Sequence, residues 1–150
     1  MKNQYSISLR GISILLGFIG LADSIYLLLL KWTENSALCF VGQGGCWSVN
    51  NSSYSEIAGI PIALIGSIAY TLILVILQME TRSSFWKTNS RLALLGLSIT
   101  GTAYSLYLTY VQVVILRTLC PFCLLSAGIQ LALLVLSIFR FRDQQLEPNS

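Results

Sequence analysis

Four long apolar stretches alternate with short polar ones along this chain. They run from Gly11 to Leu30, Ile57 to Met79, Leu92 to Leu116 and Thr118 to Phe139. Each reaches the roughly 20 residues that a helix needs to cross the hydrocarbon of a bilayer. Asp23 is the single formal charge inside any of them. Lipid offers backbone groups no partner, so each run predicts a helix. The pattern predicts an all-α membrane protein, a bundle of four transmembrane helices. An outer loop, 32–56, joins the first two helices, and an inner loop, 80–91, joins the second and third. The third and fourth have almost nothing between them beyond Arg117 and its neighbours, which makes them an antiparallel hairpin. One such domain fills 1–150 and leaves no room for a soluble catalytic domain. The first run is too long for a signal-peptide core and lacks a small-residue cleavage site after it, so it reads as a retained helix. The tail from Asp143 to Ser150 reads as disordered.

Composition agrees with this class. Of 150 residues, 55% are hydrophobic and 10% charged, with a mean hydropathy of +0.72; soluble domains carry about 25% charged residues. Charge also predicts orientation. Lys2, Arg10, Arg82, Lys87, Arg91, Arg140 and Arg142 fall on one side of the predicted membrane, and Lys31 and Arg117 on the other. Basic loops stay cytoplasmic, which puts both termini inside and the outer loop outside. The net charge of +3 then belongs to lipid-facing loops and calls for no nucleic acid. The outer loop is rich in Asn, Ser and Gly. Its Trp32, Phe40, Trp47 and Tyr54 suit a headgroup layer, and Gly42, Gly44 and Gly45 predict that Cys46 moves freely relative to Cys39.

The four cysteines carry the candidate chemistry, and all fall on the outer side, where disulfides form and persist. Cys39 and Cys46 lie in the outer loop. Cys120 and Cys123 form a C-P-F-C tetrad at the start of the fourth helix, with Pro121 suited to a first helical turn. Cys120 then sits near the N-cap and Cys123 one turn on. The helix dipole favours thiolate and apolar surroundings oppose it; of the two, Cys120 is expected to be the more exposed and Cys123 the deeper. Two thiol pairs at one membrane edge suit thiol–disulfide exchange. Taken by itself, a loop pair facing outward reads as a structural disulfide; the tetrad reverses that preference. A C-x6-C spacing is wide for half of a zinc site, and the chain has no histidine, which also removes haem ligation by imidazole. A lipid-soluble quinone is the simplest remaining electron acceptor. Phe122, Tyr104, Tyr107 and Tyr110 are candidates to line its pocket, with ordinary packing as the alternative for any one tyrosine.

Taken together, Cys39 and Cys46 with six residues between them, Ser52 six positions after Cys46, Gly59-Ile-Pro61 with Gly66, and Cys120-Pro-Phe-Cys-Leu-Leu-Ser-Ala127 resemble the vitamin K epoxide reductase family, specifically its bacterial members. The resemblance implies a four-helix bundle around a quinone of the ubiquinone, menaquinone or phylloquinone type, with no metal. It implies a relay in the bacterial inner membrane, from a periplasmic thioredoxin-like oxidase to the loop pair, then to the helix pair, then to quinone. By the same resemblance Cys39 takes the mixed disulfide with the partner, Cys46 exchanges with Cys120, Cys123 faces the quinone, and Ser52 (or its neighbour Ser53) organises the site. Bacterial relatives often carry a fused thioredoxin-like domain after the fourth helix; the sequence stops at Ser150, so the expected partner is a separate protein. Ala127 and Ile62 stand where vertebrate members carry a tyrosine and an asparagine, which favours quinone over vitamin K epoxide. The quinone-linked disulfide bond protein B family is an analogue with its C-x-x-C pair in the first outer loop.

Other features leave alternatives open. Asp23 lies about 12 Å below the outer end of the first helix, either as a proton-handling group beside the quinone or as a neutral acid bonded to a neighbouring helix. Gly20-Leu-Ala-Asp-Ser-Ile-Tyr-Leu27 parallels Gly101-Thr-Ala-Tyr-Ser-Leu-Tyr-Leu108, an offset that also carries Cys39 onto Cys120; it marks an internal repeat or a chance likeness of common membrane residues. Pro61 reads as the start of the second helix, and Asn50 and Asn51 open sequons that matter only in a eukaryotic secretory route. The competing functional class is a non-enzymatic membrane protein whose disulfides brace it.

Overall fold

A computed structural model describes residues 2–33, 45–80 and 84–145, with side chains for 7–33, 45–80 and 89–143. Cys39, Phe40, Gly42, Gly44, Arg82 and Lys87 lie outside what is described at the side-chain level. Helix α1 spans Lys2–Thr33. The outer segment that follows holds a short helix α2, Gly45–Asn50, a 3-10 turn at Ser53–Ser55, and a minimal hairpin of β1, Glu56–Ile57, and β2, Ile60–Pro61. Helix α3 is Ile62–Met79. Helix α4, Ser84–Tyr110, continues as a π-helical segment, Val111–Leu116. Helix α5 is Pro121–Gln145.

Among the described residues, four stretches are long and apolar enough to cross a membrane: Ile7–Thr33, Ile62–Met79, Asn89–Leu116 and Pro121–Asp143. Helix α1 packs on α3 and α5, and α4 packs on α5 and α3, closing a ring of four. The polarity is inverted relative to a water-soluble domain. Ser13, Asp23, Ser24, Ser98, Gln112, Gln130 and Arg140 are buried, while Ile7, Leu15, Phe18, Leu92, Leu106 and Leu131 are more than half exposed. Such a surface is stable only in lipid, and the chain is an integral membrane protein.

The predicted boundaries shift where local backbone chemistry outweighs hydropathy. The second helix begins at Ile62 rather than Ile57. Ala58 and Gly59 take positive φ values of 53° and 81° to turn the hairpin, and Pro61 sits at the N-cap with φ −59°, its ring fixing φ and removing a donor. The inner loop predicted at 80–91 is mostly helix, since α4 starts at Ser84. The fourth helix begins at Pro121, not Thr118, because Arg117 turns the chain in the left-handed region at φ 49°. At its other end α5 runs on to Gln145, past the predicted start of the tail.

The two ends of the ring are distinct. At one end Arg10 of α1 donates to the Leu77 carbonyl of α3 (3.1 Å). There too Glu80 at the α3 C-cap pairs with Arg91 of α4 (3.0 Å) and with Arg140 of α5. At the other end Lys31 of α1 holds the outer segment. Its ammonium reaches the Asn50 carbonyl (3.1 Å), the Ser55 hydroxyl (3.0 Å) and the Glu56 carboxylate (2.8 Å). Both members of the sequence repeat meet the next spanning helix at their glycine. A Cβ on Gly20 would strike the ring of Tyr70 in α3, and one on Gly101 would strike the side chain of Gln130 in α5.

Candidate functional site

The end of the bundle held by Lys31 also carries the thiols. Cys120 is the N-cap of α5: Pro121 takes the first helical position, where its missing N–H costs nothing, and the Cys123 N–H donates to the Cys120 sulfur at 3.3 Å. The Cys120 N–H is held in turn by the side-chain oxygen of Gln112 at 3.0 Å. Gln112 is 1% exposed and its own carbonyl accepts the N–H of Thr118 at 3.1 Å. One buried glutamine of the π-helical segment therefore braces both sides of the turn before α5. Such a segment inside a helix frequently marks a functional position.

Helix α2 brings the loop cysteine to this N-cap. Gly45 lies so close to the turn that an added Cβ would sit 2.5 Å from the Leu119 carbonyl oxygen. The absent side chain lets α2 approach, and the Cys46 sulfur comes to 2.9 Å from that of Cys120. A disulfide is about 2.05 Å, so the two sulfurs are in contact and unbonded. Both residues are fully buried, among Leu27, Leu30 and Val49. Gly45 is thus used for close packing, while the freedom expected of Cys46 relative to Cys39 involves residues outside those described. Asn50 fixes the far end of α2 by donating to the Leu27 carbonyl at 2.8 Å, and its burial removes it as a glycan acceptor. Ser52 donates its hydroxyl to the Val49 carbonyl (2.8 Å) and accepts from Ser55.

The expected ranking of the tetrad is reversed. Cys120 is the shielded thiol at 0% exposure, and Cys123 is the partly open one. Cys120 lies just outside the membrane-spanning segments. Its thiol is pushed up to about 12, first by side-chain hydrogen bonding with Cys123, with burial adding to the rise against a lowering by Cys46. A thiol held that firmly is a poor nucleophile.

Cys123 opens onto a cavity of about 370 Å³ inside the ring. Its walls are mostly apolar, with Leu27, Ile62, Ala63, Leu97, Leu108 and Val111 among them. A few polar groups converge on it: Asn50, Ser52, Tyr70, Gln112, Ser126 and Gln130. That volume and that lining suit a small, largely apolar ligand with one or two polar atoms, and a quinone ring fits the description. Of the other residues singled out in the sequence, Ser52 and Tyr104 line the cavity. Phe122 packs on the Tyr26 ring (4.8 Å between centroids) beside the thiols. Tyr107 stands 5.9 Å from the Tyr104 ring and, like Tyr110, is about half exposed on the outer surface of the bundle. Asp23 is buried and is not among the lining residues, although its chain neighbour Ser24 is.

Gln112, Gln130, Tyr70 and Ser126 belong to the site although no sequence motif assigns them a role. A signal was present for three of them. Gln112 and Gln130 are amides inside apolar runs, where a polar side chain is costly unless it has a partner. Ser126 follows Cys123 by three residues and so shares its helical face.

The sequence profile described as the Vitamin K epoxide reductase family matches residues 12–138. The chain belongs to that family. A curated relative, the Thiol-disulfide oxidoreductase LTO1 of Arabidopsis thaliana, is 31% identical over 130 residues. The match takes in 83% of this chain and 35% of the relative, so the chain spans little more than a third of that protein's length. Every residue that lines the cavity, from Ser24 to Gln130, falls inside the family match.

Proposed function

We propose that this protein is a membrane thiol–quinone oxidoreductase that supports disulfide formation. Electrons from a periplasmic thioredoxin-like partner reduce a Cys39–Cys46 disulfide. The Cys46 thiolate then attacks Cys120 of a Cys120–Cys123 disulfide, forming a Cys46–Cys120 bond and releasing Cys123 as thiolate. Attack of Cys39 on Cys46 closes the loop disulfide again and leaves Cys120 and Cys123 reduced. That dithiol passes two electrons to a quinone in the cavity and returns to the disulfide. The reading places the protein in a bacterial inner membrane with both termini cytoplasmic, which agrees with Arg10, Arg91 and Arg140 gathering at the end opposite the thiols.

The observation that carries this reading is the 2.9 Å contact between the sulfurs of Cys46 and Cys120, beside a Cys123 that opens onto the apolar cavity. Family membership and the name of the Arabidopsis relative support it. Purified protein in detergent, given a dithiol and a soluble quinone, should consume both in equal amounts. Cys123→Ala should stop quinone consumption, because the attacking sulfur and the electron donor are lost together. Full turnover in that variant would refute the mechanism, and no turnover in the wild type would favour disulfides that only brace the fold.

A further inference from the structure

Asp23 has no place in the relay as just described, and its surroundings call for an explanation. It is 7% exposed, and neither carboxyl oxygen makes a hydrogen bond of ordinary length among the described residues. Buried polar groups are nearly always bonded, and an exception often marks function. Two groups from neighbouring helices act on it electrostatically, Tyr70 of α3 and Ser126 of α5. The Tyr70 hydroxyl is itself 3.2 Å from the Ser126 hydroxyl. Tyr70 is positioned by Gly20, one turn before Asp23, which leaves room for its ring. Ser126 and Tyr70 both line the cavity, and Ser126 is one turn beyond Cys123 on the same helix. A carboxyl without a counter-ion in such a place costs least as the neutral acid, and a neutral acid beside a hydroxyl can donate through it.

We propose that Asp23 holds one of the two protons that a quinone takes up, and delivers it to the cavity through the Ser126 hydroxyl. The proposal rests on the thiol–quinone reading above. The chemistry balances without any further reactant. The helix dithiol gives two electrons and two protons as Cys120 and Cys123 join in a disulfide. Asp23 gives one proton to the quinone through Ser126 and is reprotonated by the proton that Cys123 loses, and the quinone leaves as quinol. When the loop dithiol next reduces the helix pair, its two protons pass to the two helix thiols.

The test follows two steps separately by rapid mixing: reduction of a soluble quinone by the prereduced protein, and quinone-free reduction of the four cysteines by a dithiol, read by thiol alkylation. In Asp23→Asn the quinone step should slow about 100-fold, the usual scale for a lost proton donor. The pH profile of that step should change, while the cysteines still become reduced. Asp23→Glu should recover most of the rate. Ser126→Ala should slow the same step, and it decides the matter should Asp23→Asn not fold. A quinone step with wild-type rate and pH profile in either folded variant overturns the proposal. A slowing of dithiol exchange to the same degree also overturns it, since the defect would then be structural. A wild type that reduces no quinone overturns the thiol–quinone reading and this inference with it.

Discussion

The two ends of the bundle hold their polar groups in opposite ways. At the inner end Glu80 accepts from Arg91 and Arg140, Arg91 also donates to the Arg140 carbonyl, and Arg10 reaches the Leu77 carbonyl. Most of these groups are saturated by one another, and the cluster joins all four spanning helices. At the outer end, contacts are arranged so that they can change. The sulfurs of Cys46 and Cys120 touch without a bond, Cys123 opens to a cavity, and Asp23 has unsatisfied oxygens. Saturated ion clusters fix helices in place, whereas exchange needs groups whose best partner depends on redox state. In the proposed relay the Glu80 end holds the frame still while bonds move at the thiol end.

The comparison can be broken by substitutions at either end. Cys46→Ala should have the largest effect on function. Electron transfer from a protein donor should fall to the level without enzyme, while a small dithiol that enters the cavity should still reduce Cys120 and Cys123; quinone consumption with each donor measures both. At the Glu80 end Glu80→Ala leaves the buried Arg140 and the part-buried Arg91 without their carboxylate and should lower stability by about 3 kcal/mol, the scale for breaking a buried pair, as read by thermal unfolding in detergent. Gly45→Ala should be intermediate. The added methyl pushes α2 off the Leu119 carbonyl at a cost of about 1–3 kcal/mol, and it should slow exchange between the cysteine pairs more than it lowers the unfolding temperature. Lys31→Met should be smallest, about 1 kcal/mol for a partly exposed ion pair, with labelling of the 45–61 segment by hydrogen exchange rising first. In the reduced protein Cys120 should resist iodoacetamide at pH 8, and its labelling should climb toward about pH 12 as the thiol ionises.

Much of this was legible in the sequence. Four apolar runs give four spanning helices, because nothing competes with helix formation in lipid. The C-P-F-C tetrad at a helix start was readable from Pro121 alone. What escaped were the features set by two or three residues of backbone geometry or by contacts distant in sequence. Hydropathy put Ile57 in a helix, but the positive φ of Ala58 and Gly59 and the ring of Pro61 make a hairpin there. Glycine at position 45 suggested freedom, since a sequence does not say whether a missing side chain is used for motion or for close packing. Position along a helix suggests a more exposed Cys120, but position along the helix is not depth. In fact α2 folds over the N-cap and the cavity opens one turn further on. Gln112 acts through a side chain eight residues from the N–H it binds, and no local pattern marks that pairing.

The most direct measurement removes Cys39 and Cys123 by substitution with serine, leaving Cys46 and Cys120 as the two thiols. Mild oxidation followed by peptide mass spectrometry should find them joined within one polypeptide, in nearly all molecules, with no thiol left to alkylate. Two thiols that stay alkylatable, or that join only between molecules, would contradict the account.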